Sequence, residues 1–67
     1  MKVYVVVSTQ TVGQDTDCWV YRKKADAEKY MEELTGTSRA DWEYDSVVYE
    51  DAQYIESVAY IVEKEIQ

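Results

Sequence analysis

Carboxylates are the main chemical resource of this chain. Fourteen Asp and Glu stand against seven Lys and Arg, with no His and a single Cys, in 67 residues. They are densest in Asp41-Trp42-Glu43-Tyr44-Asp45-Ser46-Val47-Val48-Tyr49-Glu50-Asp51, where they alternate with large aromatics. Such groups serve three kinds of chemistry: paired acid and base catalysis, binding of hard cations, and recognition of basic surfaces. In an extended chain side chains switch faces at every residue. Asp41, Glu43 and Asp45 are then expected in a row on one side, with Trp42 and Tyr44 on the other, a spacing that resembles the charge ladder of a nucleic-acid strand.

Catalysis finds little support. Without His there is neither the usual general base near neutral pH nor an imidazole metal ligand. One Cys and no His exclude a zinc site or a Cys-His nucleophile within a monomer. Gly13 and Gly36 are the only glycines, so both phosphate-binding glycine patterns are missing. Carboxylate-only glycoside hydrolysis needs a cleft that desolvates one acid, and a chain of this length hardly encloses one. Two groupings have the spacing for a metal test, Asp15-Thr16-Asp17 and Asp41, Glu43, Asp45. The second opens like an EF-hand loop, but its sixth position is Ser46 instead of Gly and its twelfth is Ala52 instead of Glu. The chain is therefore expected to be non-enzymatic, with no catalytic residue, cofactor or metal.

Recognition by charge fits better. The net charge is −7, and it is uneven: six acids meet five bases from Met1 to Ser38, whereas eight acids meet two bases from Arg39 to Gln67. A field of this sign repels nucleic acid and anionic lipid and attracts basic protein surfaces, including those that ordinarily hold nucleic acid. Tyr and Trp are the residue types most enriched at binding hot spots, and Trp42, Tyr44, Tyr49, Tyr54 and Tyr60 share the acidic half. Because the chain has no Phe, some of these rings must fill its interior. The expected partner-binding set is Asp41, Trp42, Glu43, Tyr44, Asp45, Tyr49, Glu50, Asp51 and Glu56, with the acids supplying charge and Trp42, Tyr44 and Tyr49 the anchors.

The elements that must position these residues belong to one domain, 1–67. Lys2 to Thr9 carries a β-branched run, Val3 to Val7, and reads as a central strand buried on both faces. Thr9 to Thr16, with Gly13, suits a hairpin loop. Asp17 to Arg22 alternates Trp19 and Tyr21 against Cys18 and Val20, a second strand antiparallel to the first. From Lys23 to Leu34 the period changes: Ala27, Tyr30, Met31 and Leu34 fall at i, i+3, i+4 and i+7, an amphipathic helix whose stop is Gly36. Ser38 to Asp41 has the pattern of a capping box that opens a short helical turn, which interrupts the carboxylate row at its start. Ser46 to Tyr49 is a strand, and Asp51 to Gln53 a turn. Tyr54 to Ile66 keeps both helical and strand spacing, and its Tyr, Ile and Val favour the strand. The fold class is α+β: a small antiparallel sheet in ββαββ order with one helix on one face.

Lone Cys18 rules out an internal disulfide, and neither a signal peptide nor a transmembrane run is evident, so a reducing cytoplasm is the expected compartment. Lys2-Val3-Tyr4-Val5-Val6-Val7-Ser8, a second strand and then Lys24-Ala25-Asp26-Ala27-Glu28-Lys29-Tyr30-Met31-Glu32-Glu33-Leu34, about the first half of the chain, resemble small phage and prophage proteins that open on a "KVYVV" strand and carry a "K-x-x-A-E-x-Y" helix. The acidic second half is similar in size and charge to phage-encoded inhibitors of bacterial defence, such as anti-CRISPR proteins that mimic DNA. That resemblance implies an inhibitor occupying the basic nucleic-acid channel of a partner such as a CRISPR-Cas effector. The alternative is a structural or regulatory protein that forms a homo-oligomer through strand edges or its helix, with charge serving only solubility.

Overall fold

A computed structural model describes residues 1–12, 15–51 and 53–67. Gly13, expected in the first hairpin loop, and Ala52, expected in the second turn, lie outside the described residues. The chain runs β1 (Lys2–Gln10), β2 (Thr16–Tyr21), α1 (Lys24–Thr35), a 3-10 turn η1 (Arg39–Asp41), β3 (Ser46–Glu50) and β4 (Glu56–Glu65). The four strands form one antiparallel sheet in the order β2-β1-β4-β3, so both hairpins flank a central pair made by the first and last strands. The ambiguous segment after Tyr54 is a strand, as its β-branched composition favours.

Register fixes two faces. Tyr4, Val6 and Ser8 of β1 align with Tyr21, Trp19 and Asp17 of β2 and with Glu63, Ile61 and Ala59 of β4, and Ala59 aligns with Val47 of β3. This is the helix face. Val6, Ala27, Met31, Trp42 and Ala59 are buried together on it, with Tyr4, Trp19, Tyr21, Tyr30, Leu34, Val47, Tyr49 and Ile61 packed around them. The helix contributes the stripe its periodicity announces, Ala27 and Met31 fully buried and Tyr30 between Trp19 and Tyr21 at ring separations of 4.8 and 5.8 Å. Tilted pairs at such distances add to the area they bury. Gly36 ends the helix in the left-handed conformation at φ 68°, donating its N–H to the Glu32 carbonyl, a geometry glycine adopts without steric cost.

The opposite, open face carries Val3, Val5, Val7 and Thr9 of β1, Cys18 and Val20 of β2, Val58, Tyr60 and Val62 of β4 and Val48 of β3. One helix can cover one side of a four-stranded sheet, and α1 packs only on the other. The expectation that β1 is buried on both faces holds only in part: Val6 on the helix side is fully buried and Val3 on the open side is buried, while Val5 and Val7 on the open side are only half-buried. The thinnest dimension, 17 Å, leaves room for the sheet and a single helix layer.

Candidate interaction surfaces

The acidic stretch from Asp41 to Asp45 is not extended, and its predicted ladder does not form. Arg39 to Asp41 makes the expected short helical turn, although the Ser38 side chain does not cap it. Trp42 then swings into the core with only 7% of its surface exposed, its indole Nε1–H donating to the Thr37 carbonyl at 2.9 Å and the Arg39 guanidinium 5.0 Å from its ring. The reason is area: an indole is the largest apolar surface available to close the core beyond Met31. Trp42 is thus a packing residue instead of an exposed anchor.

Next, Glu43 and Ser46 exchange backbone hydrogen bonds at 3.2 Å in both directions around a two-residue turn, with Tyr44 at φ 59°. Such a turn ordinarily places Gly at its first central position. Tyr44 holds that position at 87% exposure. Asp45 pairs at the surface with two cations, Arg39 at 3.3 Å and Lys24 at 4.0 Å. Arg39 also bonds Glu28, and its backbone N–H reaches Glu32, so this arginine staples the loop onto α1. Asp45 is therefore neutralised within the fold, whereas Asp41 and Glu43 remain exposed.

The rest of the predicted set gathers at one end of the sheet. Antiparallel hairpins bring the β1–β2 and β3–β4 loops together there, and Thr11 donates its N–H to the Glu56 carbonyl at 3.1 Å. Asp15, Asp17, Glu50, Asp51 and Glu56 all lie at this end. No Lys or Arg occurs from Val3 to Tyr21 or from Ala40 to Glu63, so the strands bring no cation near them. Lys2, Arg22, Lys23, Lys24 and Lys64 lie at the opposite end, where the strands and the helix begin or finish. Glu63 and Glu65 lie at that opposite end too, paired with Lys2 and the N-terminus, so the unbalanced negative charge gathers at the hairpin-loop end, a property that the split between the halves of the sequence only partly expresses.

Two features of the acidic end cost stability locally. Glu50 sits directly across from Glu56, a like-charge cross-strand pair. Tyr54 takes φ 61° at 84% exposure, a conformation that disfavours a bulky side chain. The loop that holds it is ordered by Asp51, whose Oδ1 accepts the N–H groups of Gln53 and Ile55 at 2.8 and 3.0 Å and whose carbonyl accepts that of Tyr54. Asp51 thus shapes the loop as well as adding charge. A cavity of about 500 Å³ opens on the helix side of this end, lined by Trp19, Leu34, Tyr49, Asp15, Asp17 and Asp51 among others. Tyr49 is half-buried there with its hydroxyl 2.6 Å from Ser8 Oγ, so it presents the edge of a fixed ring rather than a free anchor.

Asp15, Asp17 and Tyr54 join the acidic end without having been expected among its binding residues. The available signal was topological: two antiparallel hairpins in one sheet must turn on the same side when their strands neighbour each other as they do here. Among the described residues no group of three or more His, Cys, Asp or Glu is arranged to hold a metal ion. Nor is any helix long and apolar enough to cross a membrane. No family model, curated protein or solved structure matches the chain.

Proposed function

We propose that this chain is a non-enzymatic binding protein of the phage-inhibitor type, acting in the cytoplasm of a bacterial host, whose acidic end occupies a basic nucleic-acid-binding site on a partner such as a CRISPR-Cas effector. One observation carries the reading: five carboxylates from both hairpins lie at the same end of the sheet as the exposed ring of Tyr54, an end to which the strands bring no cation. A groove built to neutralise phosphates meets there a concentration of negative charge, and the exposed Tyr54 ring excludes water from the contact. The Glu50–Glu56 pair and the left-handed Tyr54 support the same reading, because residues that oppose stability are retained where the surface has another use.

The test is capture from bacterial lysate on the immobilised protein at low and high salt, with duplex DNA as competitor. Expected is retention of nucleic-acid-binding complexes that duplex DNA and salt both displace, and loss of that retention in the variant Asp15→Lys/Asp17→Lys/Glu50→Lys. Asp41→Lys/Glu43→Lys, away from the acidic end, retains binding. A catch that ignores the triple reversal or the DNA competitor refutes the proposal.

A further inference from the structure

A different surface, independent of the acidic end, carries a second conclusion. We propose that the open face of the sheet is covered by the same face of a second copy, in a twofold dimer whose strands run antiparallel across the interface.

The face is apolar where a solvated face should be polar. An antiparallel sheet with one side in water normally alternates apolar inward and polar outward. Here Val5 and Val7 of β1 and Val58, Tyr60 and Val62 of β4 occupy the middle of the outward side, flanked by Val20 at 63% and Val48 at 61% exposure. The buried cluster lies on the other face, and among the described residues Val3, at 6% exposure, is the one open-side position that is itself buried. Two central strands with Val at five of nine outward positions, and Thr9, Glu56 and Lys64 confined to their ends, bear the signature of a sheet covered on both sides, yet this chain brings one helix.

Size is consistent with a second sheet as the cover. Four strands at ~4.8 Å spacing, averaging about seven residues at ~3.3 Å, make a patch of roughly 450 Å² in projection. Two such faces remove on the order of 900 Å² before side-chain relief is counted, and relief carries the accessible area past the ~1,000 Å² that separates specific interfaces from chance contacts. Flat sheet faces pack on each other about 10 Å apart with interdigitating side chains. This is the occupant that such a patch fits, in place of the strand edges or helix expected for a homo-oligomer.

Charge chooses the orientation. Along β4 the open face is bounded by Glu56 at one end and Lys64 at the other, with Tyr60 midway. A twofold axis parallel to the strands sets Glu56 and Glu50 near their own copies. An axis perpendicular to the strands, over the row Cys18, Val7, Tyr60 and Ser46, sets Lys64 opposite Glu56 of the second copy, twice. Only this arrangement brings unlike charges together at both ends of the apolar centre. It also stacks Tyr60 near Tyr60 and Cys18 near Cys18 across the axis, and leaves the two acidic ends pointing away from each other.

Sedimentation velocity and light scattering on the intact protein test the proposal. A species of twice 7.9 kDa is expected at micromolar concentration. Tyr60→Lys yields a folded monomer, with folding checked by circular dichroism. Should that variant unfold, the surface pair still decides: Lys64→Glu and Glu56→Lys each weaken the dimer by about tenfold, and the double exchange restores it. A short bismaleimide joins the native Cys18 residues into a covalent dimer at concentrations where Tyr60→Lys or Lys64→Glu gives none. A monomer at every concentration, a dimer indifferent to both charge variants, or a face that instead takes up lipid vesicles overturns it. Binding of basic partners through the acidic end is read separately in the lysate capture, so either conclusion can fail alone.

Discussion

Replacing Trp42 with Phe separates a packing role from a binding role in the stretch where aromatics and acids alternate. Phe keeps an aromatic ring in the core but removes the indole N–H, leaving the Thr37 carbonyl that accepts it at 2.9 Å without its partner. Loss of a part-buried hydrogen bond costs about 0.5–1.5 kcal/mol, and the smaller ring adds a cavity contribution. About 2 kcal/mol is the expected loss, against a total of roughly 3–10 kcal/mol for a domain of this length. At about 4–8 °C per kcal/mol the melting temperature falls by about 8–16 °C. Urea unfolding followed by far-ultraviolet circular dichroism measures it, with Tyr44→Phe as the control. Tyr44 lies two residues away at 87% exposure, so its change stays within about 0.5 kcal/mol. A Trp42→Phe protein as stable as the parent refutes the assignment of this side chain to the core.

Two further outcomes are expected. Tyr44→Gly stabilises the fold by up to about 1 kcal/mol, because the left-handed turn position costs an L-residue about 1–2 kcal/mol and glycine gives part of that back in chain entropy; an unchanged or lower urea midpoint would count against strain at this turn. Tyr30 has its hydroxyl pKa held above 10.0 by burial first and then by the neighbouring Tyr21, Tyr49, Asp17 and Glu33. The folded state thus keeps this proton longer than the unfolded state does, so the stability it contributes is complete below pH 10 and declines as pH rises through the folded value. Tyr30→Phe should flatten that alkaline decline in denaturation curves taken from about pH 9 to about pH 12, and a decline as steep as the parent's would show that other groups cause it.

The fold was largely legible because its signals were periodic. Ala27, Tyr30, Met31 and Leu34 can share a face only on a helix, and Trp19 with Tyr21 against Cys18 with Val20 only on a strand. Gly36 marked its stop for a conformational reason that needs no tertiary context. The site was less legible. An alternating acid and aromatic pattern implies a ladder only if the backbone stays extended, and two events broke it: the indole of Trp42 had an interior to fill, and the chain turned at Tyr44. That turn has no Gly or Asn at its first central position, so composition gave no warning. Tyr54 repeats the case in the next loop. The acidic end was hidden for another reason. Asp15 and Asp17 are far in sequence from Glu50 and Glu56, and only the strand order places the two hairpin loops side by side.

The same strand order has a consequence for how the chain reaches its native state. The central pair joins β1 to β4, the two strands most distant in sequence, and the core they support includes Val6 from one and Ala59 from the other. During synthesis the β1–β2 hairpin and α1 can assemble early, but the sheet lacks its middle until β4 has left the ribosome. Closing so long a loop is entropically costly and is repaid only late, which places this small domain among slower folders than its size suggests. Until then the edge of β1 stands open to any strand nearby, a competitor's as readily as its own.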